Sequence, residues 1–155
     1  MRIISSARVS YLAIATLAAA TLAAFTAAPA AAQETARTPI GNSTATLTPA
    51  IRVGNIVYGG GQLGLSRTDP DTTIAGQTRR TLENVKRVFE EAGTTMDRAI
   101  RCTVFLVEAS DFRAMNEVYR TFWPVSPPAR STVVVKALVV PSAKIEIECM
   151  AVMPQ

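Results

Sequence analysis

Two kinds of charged side chain that could work together lie near the C-terminal end of this 155-residue chain. One is Arg130, in Pro127-Pro128-Ala129-Arg130-Ser131-Thr132; the other is a pair of carboxylates, Glu146 and Glu148, in Lys144-Ile145-Glu146-Ile147-Glu148. A guanidinium fixed just behind two prolines offers a planar fork to a carboxylate. A carboxylate on a neighbouring element can move a proton or orient a water. The chain contains no histidine, which excludes Ser-His-Asp and Cys-His nucleophile systems and His-containing zinc sites. Proton transfer near neutral pH therefore falls to a perturbed carboxylate, Lys, Tyr or Cys, or to a water.

These residues need strands to hold them. Residues 133–135 and 138–140 are β-branched and apolar, which predicts a strand over 133–140 with Arg130 at its mouth. Pro141-Ser142 breaks the run, and a second strand follows over 145–152. The two-residue period puts Glu146 and Glu148 on one face and Ile145 and Ile147 on the other.

Further upstream, Gly54-Asn55 between 50–53 and 56–58 predicts a hairpin, followed by Gly59-Gly60-Gly61-Gln62 and a short apolar run at 63–65. The glycines suit either a bulge needing positive φ or an anion-binding backbone; no Gly-Lys-Ser/Thr follows, so they are not a phosphate loop. Residues 67–73, with Asp69-Pro70-Asp71, read as a solvent loop. Apolar Leu82, Val85, Val88, Phe89 and Ala92 recur at helical spacing over about 73–92, with Gly93 closing the helix. Its basic residues are interspersed with Glu83, Glu90 and Glu91, as on a solvated amphipathic surface rather than a nucleic-acid face. A strand over 100–107 precedes a second helix, capped by Ser110 or Asp111. Its stripe of Phe112, Met115, Val118, Tyr119 and Phe122 reads as core, not as a cofactor site, and Trp123-Pro124 ends it. The order predicts one α+β domain, a sheet with two helices on one face. The apolar content of the strands leaves the other face in need of cover, so self-association is expected.

The first 32 residues stand apart. Arg2 and Arg8 precede an Ala/Leu/Thr-rich run, and Ala30-Ala31-Ala32 ends it, the pattern of a secretory signal peptide cut after Ala32. An uncleaved membrane anchor is the alternative, though alanine gives the run little hydrophobicity. The expected organisation is a signal over 1–32, an irregular lead-in over 33–48 and a folded domain over 49–155. The expected location is periplasmic or secreted, with no lasting membrane association. Loss of Arg2 and Arg8 halves the net charge of +4, too mild a balance to suggest nucleic acid as a partner.

Pro-Ala-Arg-Ser-Thr at 128–132, a β-branched strand, a short spacer and Ile-Glu-Ile-Glu at 145–148 resemble the signature of the RidA/YjgF family. These are reactive-intermediate (enamine/imine) deaminases, also called the endoribonuclease L-PSP family, and the resemblance runs from about 51 to 152. It implies a chorismate-mutase-like fold, a mixed sheet with two helices on one face, and a homotrimer with sites between subunits. It further implies hydrolysis of 2-imino or enamine acids to 2-keto acids and ammonia, with no metal or other cofactor. By position, Arg130 would clamp the substrate carboxylate with help from the Thr132 N–H, and Glu146 would activate the water. Asn116 and Gly61 match family positions near the ligand, with Gly60 beside them.

Departures accompany the match. Relatives commonly read Gly-Pro-Tyr-Ser-Gln-Ala where this chain has Ala45-Thr46-Leu47-Thr48-Pro49-Ala50, so Leu47 replaces a pocket tyrosine. They read Ser-Gly-Gln where it has Gly60-Gly61-Gln62, so a hydroxyl is lost. The loop before Arg130 is also shorter. A non-catalytic trimer that binds small carboxylates such as 2-keto acids in the periplasm is the alternative these changes raise. Ribonuclease activity, the other name's suggestion, fits poorly with the mild charge and missing histidine. Structural readings remain beside the functional ones: Arg130 as an inter-subunit salt-bridge partner of Glu146 or Glu148, and Glu148 as structural. If the family fold pairs their strands antiparallel, Cys102 and Cys149 face each other and form a disulfide in an oxidising compartment; otherwise they are two small buried hydrophobes.

Overall fold

A computed structural model describes residues 36–155; the expected signal peptide at 1–32 lies outside them. The central strands are those with the strongest apolar alternation. In β7 (Ile145–Val152), Ile145, Ile147, Cys149 and Ala151 are buried, while the residues between them point to the opposite face. It pairs antiparallel with β5 (Ala99–Leu106), which in turn pairs parallel with the edge strand β6 (Ala129–Val134). On its other side β7 meets β3 (Ile56–Gly59) and, further along, the short β4 (Gln62–Leu63). With β1 (Arg37–Ile40) and β2 (Ala50–Val53) beyond β3, the sheet runs β1-β2-β3-β7-β5-β6. It is therefore mixed, with one parallel pair.

The hairpin of β2 (Ala50–Val53) and β3 turns at Gly54-Asn55 as expected. Gly54 takes φ +60° at the first central position, a conformation that glycine reaches without strain. Outside it lies a strand the sequence pattern hides. β1 (Arg37–Ile40) pairs antiparallel with β2, so the lead-in is not wholly irregular. Pro39 masks it, since proline lacks a ladder N–H and is tolerated chiefly on edge strands, which β1 is.

Helix α1 (Ile74–Glu91) starts where Thr73 Oγ1 accepts the Gly76 N–H at 3.1 Å. It ends at Gly93, whose φ of +83° lets its N–H reach Glu90 O while Thr94 N–H reaches Phe89 O. Its basic residues are engaged locally, Lys86 with Glu90 and Arg80 with Asp69. Helix α2 (Phe112–Phe122) follows Asp111, which makes no side-chain cap hydrogen bond. Met115 and Tyr119 of α2 join Leu82, Phe89, Val57, Val104, Leu106, Ile145 and Ile147 in the core beneath both helices. Phe112, expected in that core, is 45 % exposed.

The predicted strand over 133–140 stops at Val134. Its partner β5 ends at Leu106, and Val135 N–H to Leu106 O is the last ladder bond. Beyond it the β-branched residues have nothing to pair with, and Val139 stands 98 % exposed. Cys102 and Cys149 lie directly opposite each other across β5 and β7 and are disulfide-bonded, so neither is a free thiol.

Candidate active site

Arg130 is the second residue of β6, in register with Cys102 and therefore on the helix-covered face. The chain reaches it through Ser126, which turns α2 back toward the sheet with φ +54°, and then Pro127-Pro128. The guanidinium carbon sits 4.5 Å from the centre of the Tyr119 ring and 5.9 Å from that of Phe112. Its nitrogen Nη1 is 4.0 Å from Met115 Sδ, a weak acceptor. Among the described residues no carboxylate pairs with it. A structural salt bridge to Glu146 or Glu148 is thus absent within one chain. Asn116, Tyr119, Trp123, Pro127 and Pro128 close a recess of about 430 Å³ around Arg130.

Thr132 extends this half of the site. Val135 N–H points inward to β5, so the alternation of a strand turns the N–H groups of Arg130 and Thr132 outward. β6 is the last strand of the sheet, and that direction is its free edge. The Thr132 N–H is therefore placed to help a guanidinium hold an anion. Thr132 Oγ1 and Tyr119 Oη are both buried without a hydrogen-bond partner. Burial pushes the Tyr119 phenol up to about 12, and the nearby Arg130 charge opposes this only in part. It stays neutral and does not form an ion pair with the guanidinium.

Glu146 belongs to the other face. It is half-buried, between Leu63 of β4 and Phe105 of β5 in the cross-strand register. Gly61 explains how it fits. A Cβ at Gly61 would lie 2.8 Å from Glu146 Cδ and closer still to Oε1. The glycine serves as a vacancy for the carboxylate, and its φ is not positive, nor are those of Gly59 and Gly60. Gly59-Gly60-Gly61 is therefore neither a bulge of left-handed residues nor, by conformation, a nest. Gly60 N–H is committed to Pro49 O at 2.8 Å. Desolvation, with a smaller addition from Glu148, raises the Glu146 pKa above the ordinary glutamate value. Leu47 lies beside Gly61 and Gln62, 57 % exposed.

The two halves do not converge in one chain. Arg130 shares a cross-strand row with Cys102 and Cys149, whereas Glu146 is three residues from Cys149 and on the opposite face. Within the sheet they stand two strand spacings apart, roughly 10 Å, and three residues along, another roughly 10 Å. Asn116 and Thr132 are gathered with Arg130, and Gly60 and Gly61 with Glu146. Sequence reasoning placed Tyr119 and Phe112 in a core stripe and missed their contact with Arg130. Helical spacing reports which side of α2 is buried, but not what another element lays upon it.

A model of the family described as endoribonuclease L-PSP matches residues 38–153. A 2-iminobutanoate/2-iminopropanoate deaminase from Dermatophagoides farinae is 37 % identical over 106 residues, 66 % of this chain and 82 % of that protein. The chloroplastic Reactive Intermediate Deaminase A of Arabidopsis thaliana is 36 % identical over 108 residues, 66 % of this chain and 56 % of its own length. Among solved structures, the YjgF gene product from E. coli superposes with a TM-score of 0.69 at 29 % identity, covering 76 % of this chain and 99 % of that one.

Proposed function

The chain belongs to the endoribonuclease L-PSP family, the family of the RidA and YjgF proteins, and from that premise we propose that it hydrolyses 2-imino acids to 2-keto acids and ammonia. The reading takes the chorismate-mutase-like fold and a homotrimer in which Arg130 of one subunit faces Glu146 of the next. The observation that carries it is the Arg130 guanidinium, set over the Tyr119 ring in a recess with no carboxylate partner among the described residues. Its in-plane donors are free to take a carboxylate in bidentate fashion, and the outward Thr132 N–H adds a third bond.

Held in this way, the substrate presents its C=N carbon to a water on Glu146. The carboxylate takes a proton as the water oxygen bonds to that carbon, and the C=N electron pair moves to nitrogen. From the iminium this gives a neutral carbinolamine, which collapses: Glu146 returns its proton to nitrogen, the C–N bond breaks with its electron pair leaving on ammonia, and the hydroxyl proton passes to solvent water. An iminium is already electrophilic, so a base and a carboxylate anchor suffice. The raised pKa of Glu146 makes it a better base near neutral pH than an ordinary glutamate. The names of the two deaminase relatives support this chemistry; nothing among them favours a non-catalytic carboxylate binder. Which imino acid is preferred rests with the surroundings of Leu47 and Gly60, where the residues depart from the family pattern. Export to the periplasm is part of the proposal.

The test is loss of 2-imino acids generated in situ by an amino-acid oxidase, followed with the purified protein. Acceleration that Arg130→Ala and Glu146→Gln both abolish is the expected result. No acceleration across small, branched and aromatic imino acids would overturn it.

A further inference from the structure

We propose that Tyr119 is a positioning residue for substrate binding: its ring is the electrostatic platform that holds Arg130 in the orientation that receives a carboxylate. This rests on the deaminase reading and assigns a role to a residue on α2 that touches no reacting atom. The guanidinium carbon lies 4.5 Å over the Tyr119 ring centre, inside the range in which a ring quadrupole attracts a cation. Among the described residues of the chain no acidic residue performs that office. A carboxylate partner would hold Arg130 equally well, but it would occupy the N–H fork that the substrate needs. An aromatic face restrains the cation from above and leaves its in-plane donors open.

Three further observations agree. Tyr119 is itself fixed, 4 % exposed, with its ring centre 4.7 Å from that of Trp123. Trp123 is anchored by Nε1 donating to Met96 O at 2.7 Å. The platform is therefore packed against a hydrogen-bonded aromatic. Phe112, 5.9 Å from the guanidinium and partly exposed, contributes a weaker second face. The Tyr119 hydroxyl takes no hydrogen bond, so the ring rather than the phenol does the work.

The experiment separates ring electronics from packing. Calorimetric titration of the full-length protein with 2-oxobutanoate, a keto-acid probe, is run on the wild type, Tyr119→Phe and Tyr119→pentafluorophenylalanine. The fluorinated ring keeps the shape and reverses the charge of the face. Tyr119→Phe is expected to bind within about two-fold of the wild type. The fluorinated variant is expected to bind about ten-fold more weakly at an unchanged melting temperature, with the loss appearing in KM rather than kcat. Equal affinity of the two variants, with wild-type binding that still requires Arg130, would overturn the platform and leave the deaminase reading intact. Wild-type binding that is absent, or indifferent to Arg130→Ala, would overturn both.

Discussion

The Arg130 recess and the Glu146 shelf occupy one sheet but are built by opposite means. Arg130 is held by addition: α2 lays Tyr119, Phe112 and Met115 against it, and two prolines stiffen the approach. Glu146 is held by omission, its carboxylate fitting because Gly61 has no side chain. The first half binds charge without neutralising it; the second raises the pKa of a carboxylate by removing water around it. In the proposed reaction one is the anchor and the other the base. Their placement on opposite faces means that one chain alone does not bring Arg130 and Glu146 together.

The sharpest way to break this comparison is to disable each half separately. Arg130→Ala should lower kcat/KM for 2-imino acids by about 10²-fold or more, mainly by weakening substrate binding. Glu146→Gln should lower kcat by roughly 10²–10⁴-fold and leave keto-acid binding in place. If each site takes Arg130 from one subunit and Glu146 from its neighbour, coassembling the two inactive variants in equal amounts should restore about a quarter of the sites. No recovery after verified mixing would place both residues of each site in the same chain. Next in size is Gly61→Ala. The added methyl must displace Glu146, and a shift of about 1 Å in a catalytic group costs about 10²-fold. Steady-state kinetics should show that loss in kcat, with 2-oxobutanoate affinity near that of the wild type.

The two halves differed in how far they could be read in the sequence. β7 was legible because Ile145, Ile147, Cys149 and Ala151 alternate with polar residues, and that alternation fixed the face of Glu146. Helix α1 was legible from Thr73 to Gly93 because its apolar spacing, cap and stop signal agree. β1 was hidden by Pro39, which excludes a central strand but not an edge. Residues 135–140 carried strand-like side chains and found no partner past Leu106, since strand propensity describes side chains and not the availability of a neighbour. The role of Gly61 was misjudged for a related reason. Glycine suggested backbone freedom, while the structure uses its lack of Cβ against a residue 85 positions later in the chain. Tyr119 under Arg130 is likewise a tertiary contact between a helix and an edge strand, and no local periodicity reports it.

A covalent tie links the two regions. Cys149 precedes the end of the strand carrying Glu146, and Cys102 is the register partner of both Cys149 and Arg130. The cysteines are 47 positions apart in sequence, so the bond closes a long loop in the unfolded chain and should contribute about 2–4 kcal/mol to stability. The double variant Cys102→Ala, Cys149→Ala should unfold at correspondingly lower urea concentration. Under native conditions it should lose less than about ten-fold in activity, because the β5–β7 and β5–β6 ladders still position both halves. A much larger kinetic loss at full occupancy of the folded state would mean that the disulfide sets the geometry of the site as well as its stability.

The smallest effect concerns protons on the Glu146 half alone. Glu146 must be ionised to accept a proton from water, so activity should fall as pH drops through its pKa. That pKa is raised chiefly by desolvation and secondarily by Glu148 on the same strand face, which puts the acid limb above the ordinary glutamate range. Glu148→Gln removes the lesser cause. The limb of kcat/KM should move to lower pH yet remain above that of an exposed glutamate. Stability carries the opposite sign: a folded-state pKa above the unfolded one favours the fold at low pH, and that contribution disappears as pH rises through the folded value. Glu146→Gln should therefore raise the melting temperature at neutral pH, with the gain fading below the glutamate range. In the proposed trimer Arg130 faces Glu146 from the neighbouring subunit, so Arg130→Ala should move the limb the other way, to higher pH. A limb unmoved by Glu148→Gln, and moved to lower pH by Arg130→Ala, would show that Glu146 is not the titrating group and dissolve the division between anchor and base.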